Sequence, residues 1–353
     1  MTEATDLFLD LVPDRVLAAV EAAGLHCNTV CYPLNSFENR VYEVELEDSS
    51  RVIAKFYRPG RWSEEQILEE HRFLGELDED EVPVCPVRPF PDGSTLKRID
   101  AIWYSLSDRR GGRAPDELDD LGAERLGMLV GRLHVVAARR PAPARPQLDA
   151  DRYVRRAVRA IEQEAELTGD VRHRYLTAAG ALASIADDRL AGVATHRIHA
   201  DLHLGNVLVR DDRLFVLDFD DFVVGPPVQD MWLAIPGRDP DAKRQWEHFL
   251  AGYERFRDFD PTTLGLVEVL RGLRMVRYTG WLVRRWHDPA FRQGWPWFGT
   301  PDYWRRETDD LEEQLKVIGE GSSMVETAQT ATATAEVIEL DNSDYFFDYE
   351  DKS

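Results

Sequence analysis

The most informative stretch of the sequence is His199-Ala200-Asp201-Leu202-His203-Leu204-Gly205-Asn206, in which an aspartate stands five residues before an asparagine, just ahead of a predicted hairpin. A reaction in which a hydroxyl attacks a phosphoryl group needs one carboxylate that accepts the hydroxyl proton. It also needs a neutral oxygen ligand that helps to hold Mg²⁺ on the phosphates. The pattern therefore predicts Asp201 as the proton acceptor and Asn206 as a metal ligand, although this spacing also arises by chance.

A second acidic motif, Asp218-Phe219-Asp220-Asp221, begins twelve residues after Asn206, at the end of the predicted hairpin. Protein kinases place a magnesium-binding aspartate at this position relative to their catalytic loop. Because Mg²⁺ prefers oxygen ligands, Asn206 and Asp218 together with ATP oxygens can form its shell. Asp220 stands where kinases have glycine. A solvated acidic turn is the alternative, which the apolar run from Leu214 to Leu217 disfavours.

A lysine in an apolar strand and a glutamate on an apolar helix face are the next candidates. Lys55 lies within Val52-Ile53-Ala54-Lys55-Phe56-Tyr57, so it either decorates a sheet edge or binds phosphate in a cleft. Glu70 falls in the middle of an apolar stripe on the following helix, formed by Ile67, Leu74 and Leu77. A carboxylate on such a stripe needs a partner, which predicts a Lys55–Glu70 pair at the nucleotide phosphates; an incidental glutamate is the alternative.

The first hairpin supplies a candidate phosphate loop. No GxGxxG sequence is present, and the hairpin tip instead reads Leu34-Asn35-Ser36-Phe37-Glu38-Asn39-Arg40-Val41-Tyr42. The hydroxyl of Ser36 and the N–H groups of the turn are able to cap phosphates as a glycine loop does. Many hairpin tips share this character, so the residues alone give Ser36 little weight.

The order of predicted elements indicates an α+β chain with two lobes. Residues 26–105 alternate short β-rich runs with turns, interrupted by one helix that the capping-box pattern of Ser63 and Gln66 announces. Beyond them the hydrophobic period is helical, apart from one hairpin. We predict a β-rich nucleotide-binding lobe at 1–107, a hinge at 108–115, a mainly helical catalytic lobe at 116–318 and a disordered acidic tail at 319–353.

Composition excludes several classes of protein. The 353 residues carry 65 acidic and 43 basic side chains, a formal charge of −22 that opposes binding to nucleic acid or anionic lipid. The N-terminus lacks a signal-peptide pattern, and no segment approaches the ~20 apolar residues of a membrane span. Cys27, Cys31 and Cys85 form no CxxC motif and cannot all pair. We therefore expect reduced thiols in a cytoplasmic protein without nucleic-acid or membrane partners.

Seven strings, in a fixed order, closely resemble one family. They are NSFENRVYEV, VIAKFYRPGRW, ILEEH, HADLHLGNVL, LDFDDF, GPPVQDMW and WLVRRWHDPAF, and the likeness extends from about Asn35 to Lys316. The family is bacterial stress response kinase A, which consists of serine/threonine protein kinases with a two-lobe, aminoglycoside-phosphotransferase-like fold. The resemblance implies ATP and Mg²⁺ as cofactors and a protein as the acceptor. We expect the protein to be a monomer, to phosphorylate itself, and to act in a bacterial stress response.

The resemblance also implies roles for individual residues. It implies Ser36 at the ATP, Asp201 as the proton acceptor, and Asn206 and Asp218 on Mg²⁺. A role of Asp218 as carrier of an aspartyl phosphate is left open. One departure is Ala200, where the family commonly has glycine; we expect its Cβ to tighten the loop without removing a chemical group.

Several residues near the motifs leave alternatives open. His196, His199 and His203 suit zinc better than Mg²⁺ and would make the protein a metallohydrolase. We favour a structural interpretation, in which His199 supports the loop and His203 lies at its rim. Asp230 either caps a helix or braces the catalytic loop from behind, and we favour the brace.

One face of the predicted C-terminal helix interleaves arginines with aromatic side chains. The residues are Arg271, Arg274, Tyr278, Trp281 and Arg285. A solvated charged face is the ordinary interpretation, and a packed substrate wall is the alternative.

Two further functions stay open. One is a small-molecule kinase of the same fold, whose cationic amino-alcohol or aminoglycoside acceptor an acidic lobe would suit; the other is a nucleotide-binding module without catalysis.

Overall fold

The computed structural model describes Phe8, residues 11–34 and residues 36–321, which form the α+β fold with two lobes that the sequence predicts. The smaller lobe contains helices α1 (Pro13–Glu21) and α2 (Glu64–Glu79) and strands β1 (Cys27–Leu34), β2 (Arg40–Leu46), β3 (Arg51–Phe56), β4 (Val87–Arg88), β5 (Lys97–Ile99) and β6 (Ile102–Asp108). Its antiparallel sheet has the order β1-β2-β3-β6-β4, with β5 paired to β6.

Strand β3 carries Lys55 on the face opposite to the core of the smaller lobe. Ala54 and Phe56 are fully buried in the apolar cluster that also includes the inner face of α1. Because successive side chains of a strand alternate between faces, Lys55 between them points away from this core. It lies opposite Ser105 of β6 in the register of the sheet.

Helix α2 begins where the capping-box pattern predicts. Ser63 Oγ accepts from the N–H of Gln66 at 3.3 Å, and Gln66 Oε1 accepts from the N–H of Ser63 at 3.0 Å. The two bonds satisfy N–H groups that a helix start otherwise leaves without partners. Ile67 and Leu77 are fully buried, and Glu70 is buried with them, as the helical period predicts.

The larger lobe is mainly helical. Its helices are α3 (Asp120–Ala137), α4 (Arg156–Glu164), α5 (Gly169–Leu190), α6 (Val228–Ala234), α7 (Pro240–Tyr253), α8 (Val267–Arg285), α9 (Pro289–Gly294) and α10 (Pro301–Gly319). A π-helical turn at Asp151–Arg155 leads into α4, and 3₁₀ turns occupy Leu204–Asn206, Phe219–Asp221 and Pro261–Leu266. Two antiparallel pairs complete it: β7 (His196–Ile198) with β10 (Val223–Gly225), and β8 (Val207–Arg210) with β9 (Arg213–Val216), the predicted hairpin.

Helices α3 and α7 approach each other closely enough for their backbones to touch. A Cβ at Gly127 would lie 1.9 Å from the carbonyl oxygen of Phe249, so only glycine fits there. The crossing places His134 of α3 beside Tyr253 of α7, with Nδ1 of the histidine 3.0 Å from the phenol oxygen. His134 is fully buried, and its other ring nitrogen faces the catalytic loop.

The chain passes between the lobes after β6. Strand β6 ends at Asp108 and α3 begins at Asp120, an interval that includes the predicted hinge at 108–115. Helix α10 ends at Gly319, and the predicted acidic tail from residue 322 onward lies outside the described residues. Among the residues that are described, no helix is long and apolar enough to cross a membrane. All three cysteines are free thiols.

Candidate active site

A buried carboxylate holds the catalytic loop from behind. Asp230, on α6, accepts hydrogen bonds from the backbone N–H groups of His199 at 2.8 Å and Ala200 at 2.7 Å. Burial would raise the pKa of Asp230, but the hydrogen bonds from His134 and from the loop hold the pKa below its usual range. The carboxylate therefore stays ionised, and the predicted brace is confirmed.

Ala200 occupies the sharpest bend of the loop. Its φ of 69° lies in the left-handed region that favours glycine, and its side chain is fully buried. Left-handed backbone costs a non-glycine residue roughly 1–2 kcal/mol. The two bonds to Asp230 hold the bend, and Gln229 Nε2 donates to the carbonyl oxygen of Ala200 at 3.2 Å. The bend itself, rather than a lack of space, explains a preference for glycine here.

Asp201 projects from the loop and pairs with an arginine that the sequence did not assign to it. Nη1 of Arg274, on α8, lies 2.6 Å from Oδ1 of Asp201, and Nε2 of His203 lies 3.7 Å from Oδ2. Burial alone would raise the pKa of Asp201, yet Arg274 and His203 lower it to about 2. Asp201 is therefore ionised and able to accept a hydrogen bond from a hydroxyl, as the predicted role of proton acceptor requires.

One histidine connects the catalytic loop to the second acidic motif. The N–H of Asp201 donates to Nδ1 of His199 at 3.3 Å, so Nε2 of this histidine carries the proton. Nε2 donates it to the carbonyl oxygen of Leu217 at 2.7 Å. Because Leu217 directly precedes Asp218, His199 fixes the distance between the two motifs, and its predicted supporting role is confirmed.

Asn206 and Asp218 meet at the open end of the β8–β9 hairpin. Nδ2 of Asn206 donates to the carbonyl oxygen of Asp201 at 2.8 Å, which leaves its side-chain oxygen for a cation. The backbone of Asn206 accepts from the N–H of Leu217 at 2.9 Å, and the side chain of Asp218 is 56% exposed. Amide and carboxylate oxygens are ligands that Mg²⁺ prefers. The residues present therefore fit a magnesium ion.

Lys55 is the meeting point of three carboxylates. Its Nζ lies 3.1 Å from Glu70, 3.3 Å from Asp220 and 3.4 Å from Asp218. Burial would lower the pKa of Lys55, but Asp220 and Glu70 raise it well above its usual range, so the ammonium stays charged. The expected Lys55–Glu70 pair is present, and it stands beside one of the two predicted metal ligands.

Asp220 is a member of this cluster that the comparison with kinases did not predict. Its side chain is 3% exposed, and Arg61 donates to its Oδ2. Burial would raise the pKa of Asp220, but Arg61 and Lys55 lower it, whereas burial raises the pKa of Glu70 against the pull of Lys55. Within the described residues Oε2 of Glu70 accepts no hydrogen bond, whereas Oδ1 of Asp220 is held by the ion pair with Lys55 at 3.3 Å. This side of the cleft therefore has one buried carboxylate oxygen, on Glu70, that is available for a donor.

The predicted phosphate loop packs against the larger lobe. The ring of Phe37 packs edge-on against Trp295, with centroids 4.5 Å apart. Glu38 accepts hydrogen bonds from Nε1 of Trp281 at 2.6 Å and from Nη2 of Arg285 at 2.6 Å. Trp281 and Arg285 of α8 therefore pack against the hairpin tip, and the ordinary interpretation of a solvated face is wrong for these two residues. The alternative of a substrate wall stays a prediction.

Ser36 shares this hairpin tip with Phe37. Its carbonyl oxygen accepts a hydrogen bond from Nη1 of Arg40 at 3.5 Å. Among the described residues, its hydroxyl makes no hydrogen bond with Lys55, Glu70 or Asp218. The structure thus brings Ser36 to the tip that the sequence predicts, but not into the ion-pair cluster.

Arg277 is a further site residue that the helix-face pattern missed. It binds Asp221 through Nη2 at 2.6 Å and the hydroxyl of Tyr153 through Nη1 at 3.0 Å. Asp221 also receives Nη2 of Arg61 at 2.8 Å. The available signal was its position one helical turn after Arg274, which places it beside the catalytic carboxylate.

The histidines of this region are used within the protein. Nδ1 of His196 lies 2.6 Å from the carbonyl oxygen of Arg197, and its ring packs on His134 at 4.8 Å. Both ring nitrogens of His199 have the partners described above. Within the described ranges, no group of three or more His, Cys, Asp or Glu side chains is arranged to hold a metal. The zinc-hydrolase alternative therefore has no support.

Comparisons with known proteins agree with this geometry. The model of the phosphotransferase enzyme family matches residues 31–267. Stress response kinase A of Salmonella paratyphi A is 38% identical over 323 residues, 91% of this chain and 97% of that protein. Stress response kinase A of Escherichia coli is 36% identical over 330 residues, with the same coverage. A relative in Salmonella typhimurium, 38% identical over 323 residues, is named serine/threonine protein kinase RdoA.

Solved structures show the same fold at lower identity. An amicoumacin kinase in complex with AMP-PNP and Ca²⁺ has a TM-score of 0.68 and 21% identity, covering 88% of this chain and 95% of that one. A microcompartment-associated aminopropanol kinase has a TM-score of 0.65 and 24% identity, covering 86% and 98%. The family model and the extent of the sequence relatives decide the assignment: the chain belongs to the phosphotransferase enzyme family and, within it, to the stress response kinase A proteins.

Proposed function

We propose that this kinase transfers the γ-phosphate of ATP to serine or threonine hydroxyls of proteins, with Mg²⁺ as the metal, in the cytoplasm. The observation that carries the proposal is that Lys55 pairs with both Glu70 and Asp218, while Asn206 is bonded to the backbone of Asp201. These are the residue types that hold phosphates and metal in protein kinases. Membership of the family makes the chain a phosphotransferase, and the choices of ATP, Mg²⁺ and a protein acceptor are parts of this proposal.

In this proposal each side chain has one task. Lys55, held by Glu70, binds the nucleotide phosphates, while Asn206 and Asp218 would hold Mg²⁺. The metal ion, when bound, screens the charge that develops on the transferred phosphoryl group. Asp201 accepts a hydrogen bond from the attacking hydroxyl, aligns it with the phosphorus, and takes its proton as the new O–P bond forms and the bond to ADP breaks. The low pKa of Asp201 keeps its carboxylate ionised and ready to accept that bond.

Local electrostatics favour a protein over a cationic small molecule. The overall charge of −22 suggested that an amine acceptor would suit the larger lobe. Near Asp201, however, Arg274 occupies the carboxylate and Arg277 stands one turn further on. A cationic amino group placed there meets guanidinium groups first. The name of the Salmonella typhimurium relative, serine/threonine protein kinase RdoA, supports the same choice.

A small-molecule O-phosphotransferase is the second candidate. It is favoured by the fold alone, since the amicoumacin and aminopropanol kinases share the architecture over 86–88% of this chain. An uncharged or anionic alcohol would meet no repulsion from Arg274. The two candidates therefore differ in their acceptor and not in their nucleotide chemistry.

The test is transfer of the labelled terminal phosphate of ATP in the presence of Mg²⁺, with cell-extract proteins and a small-alcohol panel as parallel acceptors. We expect the label to appear in proteins, including the kinase itself, which we expect to be a monomer. The variant Asp201→Asn should lose all transfer and retain ATP binding. Label confined to small alcohols would select the second candidate. Unchanged transfer by Asp201→Asn would overturn the role of this carboxylate.

A further inference from the structure

Two half-buried arginines beside the active site have no acidic partner. Arg152 lies on the π-helical turn before α4, and Arg284 lies near the end of α8. Among the described residues, no carboxylate oxygen comes within 4.0 Å of either guanidinium, although Arg274 and Arg277 close by each have one. Neither guanidinium group has a nitrogen that is both fully buried and without a hydrogen-bond partner. Both groups are therefore accessible to a ligand from solvent.

The sequence explains why Arg152, Arg277 and Arg284 lie on one side of the α4–α8 contact, a surface named the basin below. Arg277 and Arg284 are seven residues apart, so they lie on the same face of α8. Between them, a Cβ at Gly280 would lie 2.4 Å from Cβ of Ala157, which shows that α8 and α4 touch at this glycine. The close crossing brings Arg152, five residues before Ala157, to the same side as the two arginines of α8.

The basin carries an excess of positive charge. Burial lowers the pKa of Arg152 to about 10, and repulsion from Arg277 adds to this effect. The pKa of Arg284 falls to about 10 for the same reason, with repulsion from Arg285 and Arg277. The acidic groups facing the basin are Asp221, Glu38 and Glu164. Asp221 and Glu38 already have closer arginine partners, and Glu164 forms no ion pair with Arg284.

The basin begins at the catalytic carboxylate. Arg274 binds Asp201, and Arg284 lies ten residues further along α8, a distance of about 15 Å at the rise of an α-helix. An extended peptide covers this distance with about four to five residues. A side chain at that separation from an acceptor hydroxyl on Asp201 would therefore reach the guanidinium group of Arg284.

We propose that Arg152, Arg277 and Arg284 form an anion subsite that binds Asp or Glu side chains three to five residues away from the accepted serine or threonine. The inference rests on the proposed function, because it takes Asp201 as the group that faces the acceptor hydroxyl. Carboxylates bound there complete the ion pairs that Arg152 and Arg284 lack in the protein alone.

Acidic segments of this kind have two sources. The chain itself contains one between Glu336 and Ser353, with seven acidic residues against one lysine. In it, Ser343 stands directly before Asp344 and five residues before Asp348. The other source is an acidic segment of a different protein. The chemistry is the same, so the experiment must distinguish them.

The test is binding of a fluorescent 18-residue peptide with the sequence of residues 336–353 to the full chain, measured by anisotropy. A second peptide carries amides in place of the seven acids. We expect the acidic peptide to bind at least ~10-fold more tightly, and Arg152→Gln/Arg284→Gln to remove that preference. The matched control is Arg244→Gln/Arg255→Gln, which removes two exposed charges that pair with Asp120 and Glu124 of α3 and should leave the preference unchanged.

A third protein, the full chain with its seven tail acids changed to amides, identifies the source. Tighter peptide binding by this variant than by the unmodified chain supports the subsite and shows that the chain's own segment occupies it. Equal binding supports the subsite with an acidic segment of another protein as its ligand. Equal affinity for the acidic and the neutral peptide, or an unaffected Arg152→Gln/Arg284→Gln variant, overturns the proposal.

The same proteins separate this inference from the proposed function. Peptide binding needs no phosphoryl transfer, so Asp201→Asn should lose transfer and keep the charge preference. For an acidic substrate peptide, Arg152→Gln/Arg284→Gln should raise KM about 10-fold with kcat unchanged, since these groups bind substrate without touching the phosphate. Transfer without any charge preference would overturn the subsite alone. Charge preference without any transfer would overturn the kinase assignment alone.

Discussion

The two sides of the cleft have opposite charge excesses. On the nucleotide side, Lys55 faces Glu70, Asp218 and Asp220, and among the described residues Oε2 of the buried Glu70 accepts no hydrogen bond. On the acceptor side, Asp201 stands at the start of a row of arginines, two of which lack a carboxylate. Each side is electrostatically incomplete until its ligand arrives. The net charge of −22 therefore does not indicate which ligand either side of the cleft binds.

Removal of Lys55 from the nucleotide side should give the largest effect. In Lys55→Met, Glu70 loses its cationic partner while buried, which should lower the free energy of unfolding by about 3–5 kcal/mol. Loss of the phosphate ligand should lower the transfer rate by about 10²–10³-fold. Urea denaturation and turnover with ATP measure the two effects. Lys97→Met, which removes a partly exposed lysine of the same lobe, is the control, and equal behaviour of the two variants would contradict the assignment of Lys55 to the phosphates.

Weakening the brace between the two sides should cost less. In Asp230→Asn, one of the oxygens that accept the N–H groups of His199 and Ala200 becomes an amide nitrogen. We expect a loss of about 2–3 kcal/mol in unfolding free energy and slower transfer with little change in ATP affinity. Asp239→Asn, at the exposed start of α7, serves as the comparison, with a cost of about 1 kcal/mol or less. A transfer rate equal to that of the unmodified chain would show that Asp230 does not position the loop.

The acceptor side can be tested through pH. In Arg274→Gln, burial of Asp201 is no longer opposed by a direct ion pair, so the pKa of this carboxyl rises from about 2 to above its ordinary value. The acid limb of the rate profile should then appear above about pH 4, and the stability that the ionised carboxylate contributes should be lost at higher pH as the solution is acidified. Arg271→Gln, one turn earlier and paired with Glu268, should leave the limb in place.

The smallest expected effect is at the bend of the loop. Ala200→Gly relieves the strain of a φ of 69° but makes the unfolded chain more flexible, so the two terms nearly cancel. We expect a change in stability within about 1 kcal/mol and an unchanged transfer rate. A large loss of stability would mean that the buried methyl group packs more strongly than the backbone strain suggests.

Patterns close in sequence predicted one side of the cleft better than the other. The alternation of β3 and the helical period of α2 were enough to place Lys55 against Glu70, because both depend on local geometry. The ion pair between Asp201 and Arg274 spans 73 residues and depends on how α8 packs, which no local pattern contains. The brace by Asp230 followed from its position after Gly225-Pro226-Pro227, although the histidine bonded to it came from α3.

Two other features lay beyond the sequence for different reasons. Asp220 was compared with the glycine of kinases, so its pairing with Lys55 and Arg61 was missed. The charge on the acceptor side was judged from the whole lobe, whereas local pairing and the contact at Gly280 decide it. The left-handed φ of Ala200 gave no signal of its own, because alanine rarely adopts it.

We expect a cation to complete the nucleotide side of the cleft and the acceptor side to supply the catalytic carboxylate. Calorimetric titration of ATP, with Mg²⁺ and with chelator, tests it most directly when Asp218→Asn and Asp201→Asn are compared. The account predicts that Mg²⁺ tightens ATP binding at least ~10-fold, that Asp218→Asn loses this gain, and that Asp201→Asn keeps it. Equal ATP affinity with Mg²⁺ and with chelator in the unmodified chain would contradict the account.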